Sequence, residues 1–161
     1  PRSSSAASDV YKRQLDAFKK SKPVMDLYGK KVEYMGDTGS GQQTKIINQI
    51  CIGGLIQSLS EAIYFMKHTN LDPSKVLDVI SSGAAQSWQM ENRFKTMTED
   101  KFDFGFAVDL MRKDLSIAFR ESEKYGIDLE ITKIIDKFYE DLQKQGHNNL
   151  DTSSLIKRLI K

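Results

Sequence analysis

The sequence predicts an all-α fold, a helical bundle around one long central helix. Three observations lead there. Apolar residues recur from Gly39 to His68 with no proline between them; glycine, proline and Asx punctuation then divides the rest into helix-length segments; and only one short stretch alternates as a strand would.

Pro1 to Gln14 carries a Ser/Ala cluster followed by mixed charge, with neither the apolar core of a signal peptide nor a helical stripe. It resembles translated adaptor or vector sequence, and residues 1–21 are expected to be a non-native or disordered leader. Between Ser21 and Gly36 a short helical piece, Pro23 to Leu27, precedes the alternating Lys31 to Met35, which reads as a strand. A lone strand cannot form a sheet, so it is expected to be the remnant of a sheet-containing domain absent from this chain.

The central helix is expected from about Gly41 to His68, more than roughly 35 Å at the usual rise per residue. Its apolar positions cover most of its circumference, and Gly53-Gly54 implies a neighbouring helix crossing at close range. Asp72 and Pro73 stand as cap and first-turn residue of a second helix through Ile80, which Ser81-Ser82-Gly83 ends. A third helix is expected over Ala84 to Thr96, followed by a packed Phe102 to Phe106 loop. A fourth should run from Ala107 to Tyr125 and stop at Gly126, a fifth from Glu130 to Gln145 before Gly146, and a short last one from Ser153 to Ile160.

The composition narrows the function. At 161 residues, 39% hydrophobic and 29% charged, the chain reads as one soluble globular domain. No apolar run approaches the ~20 residues of a membrane span, so no membrane partner is expected. The 24 basic and 22 acidic residues are interspersed, too evenly to indicate nucleic acid as a partner. Cys51 is the single cysteine and lies in an apolar stretch, which points to a core position and to a reducing, cytoplasmic setting. His68 and His147 stand far apart without further ligands at metal spacing, so both are read as surface residues and no metal is expected.

The chemistry concentrates in Gly39-Ser40-Gly41-Gln42-Gln43-Thr44-Lys45-Ile46-Ile47-Asn48-Gln49. On a helix Lys45 shares a face with Asn48 and Gln49, three and four residues on, and the glycines leave the helix start open to a ligand. The unpaired N–H groups and dipole there favour a carboxylate or other anion. Most helix-surface lysines are merely solvated, but on a helix apolar nearly all round a lysine and an asparagine sharing the remaining face call for a role. A partly buried lysine can also serve as proton donor or acceptor. Lys113-Asp114, further on, is by itself an ordinary charged pair on an amphipathic helix.

The order Gly-Ser-Gly-Gln, Lys45 and Asn48, Glu61-Ala62, Ser87-Trp88, Phe106, Lys113-Asp114-Leu115 and Asp151 resembles the C-terminal domain of the β-hydroxyacid dehydrogenase family. That family includes 3-hydroxyisobutyrate dehydrogenase, tartronate semialdehyde reductase and glyoxylate/succinic semialdehyde reductase, with 6-phosphogluconate dehydrogenase more distant. The resemblance runs from about Lys22 to Lys161. It implies a two-domain enzyme in which residues 22–37 end an N-terminal NAD- or NADP-binding Rossmann domain and residues 38–161 form a helical substrate and dimerisation domain.

By this resemblance Lys45 is the catalytic acid/base, and Ser40, Gly41 and either Asn48 or Gln49 contact substrate. Lys113 reaches the cofactor, with Phe106 and Asp114 lining or bracing the site. The implied reaction passes a hydride between nicotinamide and the hydroxyl-bearing carbon of a small hydroxyacid or the matching semialdehyde, with no metal. A homo-oligomer is expected. No Gly-rich dinucleotide fingerprint occurs in the chain, so the fragment alone should be inactive. The rival reading is a non-catalytic helical interaction or dimerisation module, which explains the helices but not Lys45 with Asn48.

Overall fold

A computed structural model describes residues 15–160, and the Pro1 to Gln14 segment lies outside them. The all-α class is borne out: the described residues form helices α1 (Leu15–Met25), α2 (Ser40–Lys67), α3 (Pro73–Ile80), α4 (Trp88–Thr98), α5 (Val108–Lys124) and α6 (Glu130–Lys144), then a 3₁₀ helix, Thr152–Arg158. Two compact units divide between Asn48 and Gln49, and α2 continues through the division.

In the first unit, α1 reaches further back than the expected helical piece at Pro23 to Leu27. Pro23 falls in its last turn, and the chain leaves the helix through Gly29 N–H donating to the Met25 carbonyl at 2.9 Å. Phe18 and Val32 are buried together, with the Phe18 and Tyr34 rings 5.5 Å apart. The expected strand over Lys31 to Met35 is not formed. Alternation alone does not make a strand, and this segment has no partner to pair with among the described residues.

The second unit holds a core in two parts. Ile56 of α2 joins Met111 and Leu115 of α5 and Ile135 and Tyr139 of α6; further along α2, Ile63 and Met66 join Phe94 and Met97 of α4. The three- and four-residue spacing of Ile56, Leu59, Ile63 and Met66 gives α2 one buried stripe. A Cβ at Gly53 would meet only the tip of the Ile135 side chain, Cγ2 at 3.4 Å, and nothing stands within 4 Å of the position a Gly54 Cβ would take, so the glycine pair does not mark a close backbone crossing. The 28-residue α2 is long and apolar enough to cross a membrane by length and composition alone, and one stripe of it is buried in the core of the second unit.

Cys51 departs from its expected core position and is exposed. It lies five residues before Ile56, about 140° around a helix of 3.6 residues per turn, on the same outward face as Ile47 and Leu55. Apolarity all round α2 therefore reflects an exposed apolar face as well as a core stripe. His68 is exposed and His147 half-buried.

Several ends follow their sequence signals. The Asp72 side chain accepts from Ser74 N at 2.8 Å and Lys75 N at 3.2 Å at the start of α3. Gly126 and Gly146 adopt φ of +65° and +79° just past α5 and α6. The third helix was expected from Ala84, but α4 starts at Trp88 because Ser87 is the residue that caps it, accepting from Met90 N at 3.1 Å.

Candidate functional site

In the first unit the candidate residues stand on the opening turns of α2. Gly36 and Gly39 take φ of +117° and +103°, conformations open to glycine, and the turn between them closes with Ser40 N–H donating to the Asp37 carbonyl at 3.0 Å. Ser40 is half-buried and Gly41 buried. The Thr44 hydroxyl donates to the Ser40 carbonyl at 2.9 Å, tying the first turn together. Lys45 follows in the second turn, half-buried, and Asn48 is exposed.

In the second unit Gln49 is buried at 6% exposure, and its Nε2 donates to Asp114 Oδ2 at 2.9 Å. Asp114 is itself only 3% exposed, and its other oxygen, Oδ1, lies 3.7 Å from the exposed Lys113 ammonium. A buried carboxylate needs such partners: the amide and the cation together offset its loss of water. The Met111 sulfur lies 4.0 Å from the same Gln49 nitrogen. Gln49, Lys113 and Asp114 thus form one polar cluster. Of the two amides left open by spacing, Gln49 is buried and bonded to Asp114, and Asn48 is exposed.

Phe106 is half-buried against the core that α5 and α6 share, at the end of the loop leading into α5. Its backbone N–H donates to Asp151 Oδ2 at 2.8 Å, and Asp151 Oδ1 accepts from Arg93 Nε at 3.2 Å. The Arg93 guanidinium lies over both the Trp88 and Phe104 rings, 5.0 and 4.8 Å from their centroids. Sequence reasoning overlooked Arg93, because a partner 58 positions away leaves no periodic signal. Burial, reinforced by the negative charge of Asp151, pushes the Tyr139 phenol far above its ordinary range, so it stays a donor to the Thr152 carbonyl at 3.3 Å. Among the described residues no group of three or more His, Cys, Asp or Glu side chains gathers as a metal site would.

The Gln49–Asp114–Lys113 cluster of the second unit and, separately, Lys45 of the first both lie within one family match. The family model described as "NAD-binding of NADP-dependent 3-hydroxyisobutyrate dehydrogenase" matches residues 39–159, and the chain belongs to that family. It is 51% identical over 140 residues to an uncharacterized oxidoreductase of Shewanella frigidimarina, covering 87% of this chain and 48% of that protein. It is 31% identical over 141 residues to 2-(hydroxymethyl)glutarate dehydrogenase of Eubacterium barkeri, covering 87% and 47%. A 3-hydroxyisobutyrate dehydrogenase structure from Salmonella typhimurium superposes with a TM-score of 0.81 at 27% identity, covering 90% of this chain and 51% of that one. The chain spans about half the length of the curated relatives it matches.

Proposed function

We propose that this chain is the substrate-side part of an NAD- or NADP-dependent dehydrogenase acting on a small β-hydroxyacid, such as 3-hydroxyisobutyrate, or on the corresponding semialdehyde. The observation that carries this reading is the Gln49–Asp114–Lys113 cluster, which with Lys45 falls inside the family match. When bound, the nicotinamide supplies or accepts the hydride. Lys45 moves the proton of the substrate hydroxyl at its Nζ and, when protonated, stabilises charge developing on the carbonyl oxygen. The Ser40 hydroxyl and the Gly41 backbone at the opening of α2 receive the substrate carboxylate, where the helix dipole favours an anion. Asp114 holds the Gln49 amide in one orientation. Lys113, exposed, and the aromatic Phe106 are suited by charge and by a flat apolar surface to a phosphate and to a nicotinamide ring.

The test compares this chain alone with the chain joined to a nucleotide-binding half, assayed with 3-hydroxyisobutyrate, 2-(hydroxymethyl)glutarate and semialdehydes with both cofactors. The longer protein should turn over at least one of them, and the chain alone none. Turnover by the chain alone would sink the two-part reading. A folded longer protein inactive on all of them would favour the interaction-module alternative.

We also propose that the chain self-associates through the exposed face of α2, with a second copy as the occupant. Ile47, Cys51 and Leu55 recur there every four residues, and no charged residue occurs from Ile46 to Ser60, so two copies meet without like-charge repulsion. Light scattering should report a dimer or larger assembly that Leu55→Glu weakens. A strict monomer over a wide concentration range would contradict it.

A further inference from the structure

We infer that Asp151 is a positioning residue for the site proposed above: it takes no part in the chemistry but fixes where Phe106 and the first turns of α5, with Lys113 and Asp114, stand. The inference rests on that reading of the site. Asp151 is 1% exposed, and its carboxylate accepts four hydrogen bonds from three parts of the second unit. Oδ2 takes the Phe106 N–H at 2.8 Å; Oδ1 takes Arg93 Nε at 3.2 Å, Ser153 N at 3.1 Å and Ser153 Oγ at 2.6 Å. One side chain thus ties α4 and the start of the 3₁₀ helix to the loop that ends at Phe106.

The backbone repeats the same connection. Asp151 N–H donates to the Phe102 carbonyl at 2.9 Å, and Thr152 N–H to the Phe106 carbonyl at 2.8 Å. Helix α5 begins after Ala107, which has no side chain able to cap it. Its first amides, Val108 N and Asp109 N, donate instead to the Leu150 and Asn148 carbonyls at 2.9 and 3.2 Å. The helix carrying Lys113 and Asp114 is therefore capped by the segment that Asp151 anchors, and its first turn shifts when that segment shifts.

A buried ion pair is a weak device for stability, because desolvation offsets most of its attraction, but it is a demanding one for geometry. Here both partners are held. The Trp88 and Phe104 rings, 5.0 and 4.8 Å from its guanidinium, hold Arg93, and Gly105, at φ +74°, brings the loop backbone against the carboxylate.

Asp151→Asn and Arg93→Gln in this chain test the inference by amide exchange and by the side-chain NH₂ resonances of Gln49, which report its bond to Asp114. Trp88, the single tryptophan, reports the Arg93 contact by its emission. In folded Asp151→Asn the Phe106 amide should exchange at least about tenfold faster, the Gln49 resonances should shift, and Trp88 emission should change. Arg93→Gln should act in the same direction and more weakly. A folded variant with wild-type Phe106 exchange and wild-type Gln49 resonances overturns the inference; if Asp151→Asn does not fold, Arg93→Gln decides alone. In the longer enzyme Asp151→Asn should raise the substrate KM several-fold while leaving the slope of the pH–rate profile unchanged. A wild-type longer enzyme without turnover would refute the proposed function, whereas the exchange and resonance measurements judge the clamp independently.

Discussion

Replacing Lys45 by alanine in the longer enzyme is expected to lower kcat by about 10² to 10⁴, the usual worth of general acid/base catalysis, with a further loss from the missing charge beside the developing oxyanion. Folding stability should change by no more than about 0.5 kcal/mol, since Lys45 is half-buried in the second turn of α2 and alanine is a better helix former than lysine. The loss should appear in kcat while cofactor affinity stays near wild type. Lys45→Arg separates the two roles: arginine keeps the positive charge but does not give up its proton, so it should restore part of the electrostatic contribution and none of the proton transfer. An alanine variant retaining more than about a tenth of wild-type kcat would show that Lys45 is not the proton-transfer residue.

How far the sequence speaks for the structure depends on the range over which each signal acts. The Asp72-Pro73 start of α3 and the glycine stops after α5 and α6 are local chemistry, readable from a few consecutive residues. The central helix is legible for a different reason: its apolar pattern continues without proline for eight turns' worth of sequence, and the structure runs it over Ser40–Lys67. What that pattern conceals is direction. Counting apolar residues around α2 puts Cys51 inside, whereas the buried stripe through Ile56 and Ile63 leaves it on the opposite side. The Lys31 to Met35 alternation likewise looks like a strand because period two is necessary for pairing, but pairing also needs a neighbour.

The candidate site divides along the same line. Lys45, Asn48 and Gln49 are neighbours by helical spacing, and spacing cannot say which amide turns inward. Burial of Gln49 and its bond to Asp114, 65 positions away, supply that answer. Asp151 is visible in the sequence only as one member of a family-like order of residues. Its grip on Phe106 and Arg93 depends on contacts across 45 and 58 positions.

Gly105→Ala should be among the most damaging single-methyl changes in the chain. A Cβ at this position would stand 2.0 Å from Asp151 Oδ2 and 3.0 Å from Arg93 Nη2, and the backbone φ of +74° adds strain for any L side chain. The conformational part alone costs roughly 1–2 kcal/mol. Displacing Asp151 adds the cost of separating a buried ion pair, about 3–5 kcal/mol when one partner is lost outright. Gly126→Ala and Gly146→Ala are the matched controls, because both glycines have positive φ but nothing within 4 Å of an added Cβ. For a chain of this size each kcal/mol moves Tm by about 2–4 °C, so the controls should fall a few degrees and Gly105→Ala roughly 10–20 °C. The double variant Gly105→Ala with Asp151→Ser should be less destabilised than the two single changes added together, because the shorter serine side chain leaves space for the methyl group. Calorimetry placing Gly105→Ala within about 3 °C of Gly126→Ala would show that the loop can move off the carboxylate at little cost, a result of that size lying within the conformational cost alone.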